Sequence, residues 1–403
     1  MELIIDNAAD TAIQADGSYK VGNFNKGQVR GEVSQQWAFR PDDQRFLNLH
    51  DLHAHLKGVH DRSWEARPAL TEIELLPGDM SDPDTRYEFR IGVDGKELEP
   101  THWSFGQLCS IAGAPANYMR RLPAELMADN LLYGLHANRP EEDGIKLWAG
   151  DGTLHAATSV SYGRIPDHQV VEAVMEVAGS GRGEKRWKVP GELDWSTMTY
   201  HPNIDVTKEN TTLYASDRDF FVFLVDDRNP ITVGKLPSGE PDLMFRGFYV
   251  RGSSVGAYKQ SVAAFYLRAV CMNRNLWGVE GFQEVDIIHN SNAPERWLDE
   301  VQPALLAYAE GSTQALIDGV AAAKRRKVAE DQEEATEFLM TRCAFSKKTA
   351  EAVLAVGETE EGAPPRTIWD MAQAITAFAR TIAHADVRLT MELKAKKLLD
   401  RVL

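Results

Sequence analysis

Several groups of residues in this sequence could do chemistry, and each suggests a different reaction. Asp205, Asp217, Asp219 and His289 offer carboxylates and an imidazole that, brought together, could hold a cation and activate water as in a metal-dependent nuclease. The same acids also read as ion-paired strand ends. Cys271 and His289 could serve as nucleophile and base, but Cys271 falls inside an apolar repeat, where a thiol packs as a small hydrophobe. His50, His53, His55 and His60 crowd one short segment. No cysteine or acid pattern completes a metal set there, so they read as a surface histidine cluster. None of these makes a convincing catalytic set, so catalysis, metal and cofactor are all left out of the leading expectation.

The remaining chemistry is anion binding. Between Asp242 and Glu280 lie 37 residues without an acid, carrying Arg246, Arg251, Lys259, Arg268 and Arg274, in a chain of net charge −16. Guanidinium groups beside a helix start and two hydroxyls suit phosphate. The window also reads as a core strand and helix whose basic side chains reach past the apolar surface to water. A second basic stretch, Gly179 to Lys188, has Arg182, Lys185, Arg186 and Lys188 against Glu184, with Trp187 near its end. Glycine freedom, cations and an aromatic ring make a nucleic-acid finger or an ordinary mobile loop.

The elements that must position these residues follow from periodicity. Phe245 to Arg251 alternates and predicts a strand; Gly252 breaks it, and Ser253 or Ser254 then caps a helix. Val255, Tyr258, Val262, Phe265, Ala269 and Met272 recur at three and four residues, which predicts a long buried helix. Upstream, Leu47 to Val59 reads as a short helix and Pro68 to Leu98 as a β-hairpin followed by a turn at Asp94-Gly95. Helices are predicted across Thr101 to Leu135, with Ser104 as a cap and Arg120-Arg121 as solvated helix-end arginines. Ile145 to Trp148 pairs with Ala156 to Tyr162, and a helix follows over Asp167 to Val177. Phe220 to Val225 is unbroken apolar and predicts a strand covered on both faces, turned by Asp226-Asp227 and Asn229-Pro230. From Pro294 the pattern is helical.

The expected fold is therefore α+β: an antiparallel sheet with a long packed helix, then a helical C-terminal region. The expected divisions are an arm or small subdomain at 1–66, a core domain at 67–292 and a helical region at 293–403. Length, 43% hydrophobic and 26% charged residues fit a globular protein. No apolar run reaches a bilayer-spanning length. The acidic N-terminus is not a secretory signal, and three distant cysteines suggest neither a disulfide framework nor a zinc knuckle, so a cytoplasmic location is expected.

From Trp103 onward the order of elements resembles the phage- and plasmid-like family known as domain of unknown function 932. The resemblance rests on Leu122-Pro123 before Asn130-Leu131-Leu132, Ser161-Tyr162-Gly163-Arg164-Ile165-Pro166, Ser216-Asp217-Arg218-Asp219, Ser253-Ser254-Val255-Gly256, Arg268-Ala269-Val270-Cys271-Met272-Asn273, and Ile368-Trp369-Asp370 before Ala374-Ile375-Thr376. It implies a mobile-element origin and a place in DNA metabolism, without an established activity. The strands-then-helix unit is also similar in architecture to Rad52-type single-strand annealing proteins. The leading expectation is a single-stranded DNA-binding protein, acting in recombination by strand annealing as a homo-oligomer. Its phosphate contacts would be Arg246, Arg251, Lys259, Arg268 and Arg274, closed over by Arg182, Lys185, Arg186, Trp187 and Lys188. The alternatives are an interaction protein that binds a host defence protein, and a metal-dependent nuclease using Asp205, Asp217 and Asp219.

Overall fold

The computed structural model describes residues 40–380 and 391, 394–395 and 397–399; within 40–380 it omits 80, 82–88, 139–143, 191, 195–198, 202–204, 236–240, 269–276, 279–284, 288, 291, 302, 304–306, 309–311 and 313. The aromatic residues Phe24, Trp37 and Phe39 of the expected arm lie outside the described residues, as do Cys271 and Arg274.

Two sheets organise an α+β fold. The first takes its strands from both sides of the second in sequence. It contains β1 (Arg45–Phe46), β10 (Leu213–Ala215), β11 (Phe220–Lys235), β12 (Pro241–Gly252), β13 (Gln260–Arg268) and β14 (Trp277–Gly278) in that spatial order, with β15 (Val285–Ile287) also paired to β13. All its pairings are antiparallel. The second contains β2 (Ser63–Ala66), β3 (Glu74–Pro77), β4 (Phe89–Val93), β5 (Lys96–Pro100), β6 (Ile145–Gly150) and β7 (Thr153–Ser159), ordered β2-β6-β7-β5-β4-β3. Only β5 and β7 run parallel in it, meeting at Glu99 and Thr153. A separate hairpin joins β8 (Glu192–Asp194) to β9 (Thr199–His201).

Helices cover both sheets. Over the second sheet lie α2 (His102–Ile111), α3 (Ala116–Met119) and α4 (Ala124–Asn138); Phe105, Leu108, Met127 and Leu131 meet Ile91, Leu98, Leu147 and Leu154 in one core. The cap of α2 is Thr101, whose Oγ1 accepts from Ser104 N at 3.1 Å, so the N-cap lies three residues before the serine that the sequence suggested. Against the first sheet pack α1 (Leu49–Asp61) and α5 (Asp167–Ala178), through Leu49, Leu52, Val170 and Val174. The run Phe220 to Val225 is buried on both faces: Phe220, Val222 and Leu224 enter the main core, while Phe221, Phe223 and Val225 form a second cluster with Tyr214.

The C-terminal part is helical as expected. After α6 (Ala293–Arg296) come α7 (Gln314–Arg325), α8 (Gln332–Cys343), α9 (Lys347–Glu361) and α10 (Ile368–Arg380). These helices do not own a separate core. Val320, Leu339, Val353 and Ile375 belong to the same cluster as Leu49 of α1 and Val222 of β11. The expected divisions at 66/67 and 292/293 thus cut through one continuous apolar interior. Lys324 of α7 ties the layer to the sheet through the buried Asp242 of β12, Nζ to Oδ2 at 2.7 Å.

Two local expectations fail for identifiable reasons. The turn expected at Asp226 to Pro230 is an irregularity inside β11, which keeps pairing with β12 on both sides of it, from Asp226↔Arg246 to Ile231↔Met244. Pro230 has no N–H to give the ladder, so the chain bulges there and continues. Where a long helix is predicted over residues 255–272, the chain forms β13 from Gln260 to Arg268, and residues 269–272 lie outside the described residues. Val262, Ala264 and Tyr266 alternate into the core, paired in register with Val250, Phe248 and Arg246.

The crossing of α9 and α10 is set by Gly357. A β-carbon there would lie 2.4 Å from Ala374 Cβ and 2.9 Å from its Cα. Gly357→Ala is expected to force the helices apart and cost about 1–3 kcal/mol, read as a lower urea midpoint at unchanged slope.

Candidate functional site at the seam of the two sheets

The turn between β12 and β13, Ser253 to Lys259, joins the two sheets. Ser253 does make the cap-like bond its sequence position suggested, since its Oγ accepts from Ala257 N at 2.9 Å. The same hydroxyl donates to the carbonyl of Arg218, and the chain turns back instead of continuing as a helix. Val255 projects against Trp148 and Ala156 of the second sheet. Its carbonyl accepts from Trp103 Nε1 at 3.1 Å and from Gln107 Nε2 at 2.8 Å, both on α2. Gln107 Oε1 in turn accepts from Ala157 N at 3.0 Å.

A polar network surrounds this turn. Ser254 donates through N and Oγ to Asp167 Oδ2, at 3.2 and 2.9 Å. Burial pushes the Asp167 carboxyl up to about 7 despite those hydrogen bonds, and nearby Asp219 adds to the rise. Arg164 donates to the Ser254 carbonyl and lies over the Trp148 ring at 4.7 Å. Tyr162 stacks on His289 with centroids 4.9 Å apart, and His289 Nδ1 meets Gly163 O at 3.0 Å. Arg164 Nη2, Asp167 Oδ1, His289 Nε2 and the Gln260 amide are shielded from solvent and meet no hydrogen-bonding partner among the described residues. Tyr162 and Arg164 of the 161–166 step thus hold the turn, donating to the Ser253 and Ser254 carbonyls.

The predicted phosphate contacts separate into buried and exposed groups. Arg251 is 8% exposed and lies 4.0 Å over the Tyr258 ring. It sits near Asp219, which Arg40 grips with both guanidinium nitrogens at 2.9 and 2.7 Å. Arg251 is thus an interior charge partner, because Asp219 is buried and its carboxylate must be compensated there. Arg246 stands opposite Asp226 on the neighbouring strand, 6.0 Å from the Tyr308 ring. Lys259 is exposed at the end of the turn. Only the backbone of Arg268 is described, opposite Met244. Among the described side chains of this set, Arg251 is turned to the interior and Lys259 to solvent, while the Arg268 side chain and Arg274 lie outside the described residues.

The stretch from Gly181 to Lys188 is a braced hairpin, not a free finger. Gly183 N donates to Trp187 O at 3.1 Å, Val189 N to Gly181 O at 3.0 Å, and Lys188 pairs with Val225 of β11 through two bonds of 3.0 and 2.8 Å. Trp187 is 2% exposed, edge-on to Phe248 and stacked near Tyr308, so its ring anchors the hairpin and is not presented to a base. Lys188 is buried too. Arg182, Lys185 and Arg186 remain exposed. Lys185 Nζ donates to Glu176 O at 2.9 Å, and Arg186 Nε meets Asp226 Oδ2 at 2.8 Å. Exposed Arg228 reaches the hairpin from β11, donating to Gly183 O at 3.1 Å.

The nuclease set does not assemble. Asp205 and Asp217 are exposed, Asp219 is committed to Arg40 and Ser216, and His289 to Gly163. Among the described residues no group of three or more His, Cys, Asp or Glu is arranged to hold a metal. His53 and His60 turn inward to meet His168 of α5, at ring distances of 6.1 and 4.5 Å, where burial and the neighbouring cations push His168 down to about 4. Sequence reasoning missed His168 as their partner, and it missed a grouping of His102, Arg120 and Arg218 from three segments. An adjacent Arg120-Arg121 pair was the visible trace of the second.

Asp167 carries a pH dependence whose sign is fixed. Its folded-state carboxyl titrates above its unfolded value of 3.8, so its favourable contribution is complete below that value and is lost as pH rises through about 7. Asp167→Asn, which keeps an acceptor for Ser254, is expected to hold its melting temperature between pH 5 and 8 better than the wild type; equal pH profiles would contradict the burial of that charge.

No family model, curated protein or solved structure matches the chain.

Proposed function

We propose that the protein binds the phosphate backbone of nucleic acid, with single-stranded DNA as its substrate class, through the hairpin Gly181–Lys188 and the adjoining Arg228. The observation that supports this reading is the exposure of Arg182, Lys185 and Arg186 on a turn whose backbone is already fixed. Cations held on a preorganised loop lose little freedom when a strand arrives. Glu184, the acid of the hairpin, accepts from Ser180, which leaves Arg182 without an ion pair among the described residues. Since the chain is strongly acidic overall, attraction is local to this ridge, and binding should fall steeply with salt. With Trp187 in the core, strand choice rests on backbone shape and charge instead of stacking. Annealing of complementary strands would follow if several copies present such ridges together, consistent with the phage- or plasmid-type setting that the sequence resemblance implies.

A second reading, an interaction protein that docks on a host protein, is favoured by one feature. Leu126 and Tyr133, 48% and 77% exposed, lie seven residues apart on α4 and so share a face. Recovery of one specific protein without nucleic acid, abolished in Leu126→Ser with Tyr133→Ser, would favour it.

The nucleic-acid reading is tested by fluorescence anisotropy of a labelled single-stranded oligonucleotide at two salt concentrations, with an equal-length duplex beside it. Arg182→Ala with Lys185→Ala is expected to weaken binding and to reduce the salt slope by about 1 for each phosphate that is no longer neutralised. Unchanged binding, or none by the wild type at low salt, would remove the hairpin from consideration.

A further inference from the structure

A second cationic site forms where three separated segments meet. His102 opens α2, Arg120 follows the last turn of α3, and Arg218 lies in the turn between β10 and β11. Arg120 Nη2 donates to His102 O at 2.8 Å, and Arg218 Nη2 approaches His102 Nδ1 at 3.4 Å. A guanidinium can only donate, so Nδ1 is the acceptor and the imidazole proton is assigned to Nε2. Burial lowers the pKa of both Arg120 and His102; Arg218 adds to each fall and Arg120 to that of His102, while Asp217 opposes the fall at His102. Neither arginine has a carboxylate within salt-bridge distance among the described residues. All three residues reach solvent in part.

The clustering continues inward. Burial and then Asp219 raise the Tyr258 phenol, and Arg251, Arg40 and Arg218, all near it, act against that rise. Arg251, more than nine-tenths buried, has an Nε that meets no acceptor. In a chain with 60 acidic and 44 basic side chains, four arginines here, Arg40, Arg120, Arg218 and Arg251, lie near two carboxylates, Asp217 and Asp219. Such a grouping repels itself unless an anion is brought to it. A flat carboxylate can face one guanidinium fork, whereas the oxygens of a phosphoryl group can accept from two forks and an imidazole N–H at once.

We propose that His102, Arg120 and Arg218 form a phosphate-binding site for a phosphoryl group, carried either by a small molecule or on the end of a nucleic-acid strand. The site is independent of the hairpin Gly181–Lys188. Inorganic phosphate is the first probe, titrated into the full chain and followed by calorimetry. Saturable binding is expected, weakened at least about tenfold by Arg218→Ala and by Arg120→Gln, and unchanged by Arg182→Ala. Melting temperatures of the variants near that of the wild type will show that they fold, and Arg218→Gln substitutes if Arg218→Ala does not. Absence of saturable binding, or binding by both arginine variants as tight as that of the wild type, overturns the site. Oligonucleotides with a 5′-phosphate and a 5′-hydroxyl then separate the sources. A preference for the phosphorylated end that Arg218→Ala abolishes assigns the strand terminus; phosphate binding without such a preference assigns a small phosphorylated molecule. Loss of oligonucleotide binding in Arg182→Ala with phosphate binding intact separates the two sites.

Discussion

The seating of one turn, Ser253 to Lys259, holds the two halves of the molecule in register. Its Val255 carbonyl takes two donors from α2, its Ser254 takes the Asp167 carboxylate, and its Ser253 hydroxyl fastens the Arg218 turn. Each bond joins the first sheet, or a helix on it, to another part of the chain. The interaction is strong because it is enclosed: Trp103, Trp148 and Ala257 shield the polar groups from water, and shielding raises the cost of leaving any of them unmade. The unpartnered atoms near the turn carry the same cost in the opposite direction. The seam thus holds satisfied and unpartnered buried polar groups side by side.

Charge follows from that arrangement. Asp219 and Asp226 are both buried and both need a cation, and the chain supplies Arg40 to one and Arg186 to the other. Basic residues that look like a ligand-binding stripe in one dimension are divided in three, some spent on internal acids and some left facing water. Of those facing water, Arg182 and Lys185 share one hairpin, whereas His102, Arg120 and Arg218 come together from segments far apart in sequence.

Much of the fold was legible. Turn chemistry and alternation located β3 to β5, the β6–β7 pair and the doubly buried Phe220 strand. The failures have a common physical origin. Val262 and Ala264 fit a period of two as well as apolar spacing of three and four, and over a β-branched and aromatic run the period of two is the one that packs. Trp187 looks like an exposed ring because its neighbours are basic and flexible types, but a large aromatic beside Lys188 and Val189 is what anchors a hairpin onto Phe248. The Arg120 and Arg218 grouping could not be seen, because only the packing of α2 and α3 on one sheet and the turn of the other brings them together.

The shared apolar interior has a consequence for how the chain reaches this state. Leu49 and Leu52, near the start of the described residues, complete a core whose other wall includes Ile368, Met371 and Ile375. The second sheet and its helices lie within one contiguous stretch and can close as soon as that stretch leaves the ribosome. The first sheet cannot. The interior that it shares with the C-terminal helices is complete only once α10 has been synthesised, so the growing polypeptide passes through an interval in which that interior lacks its last helices.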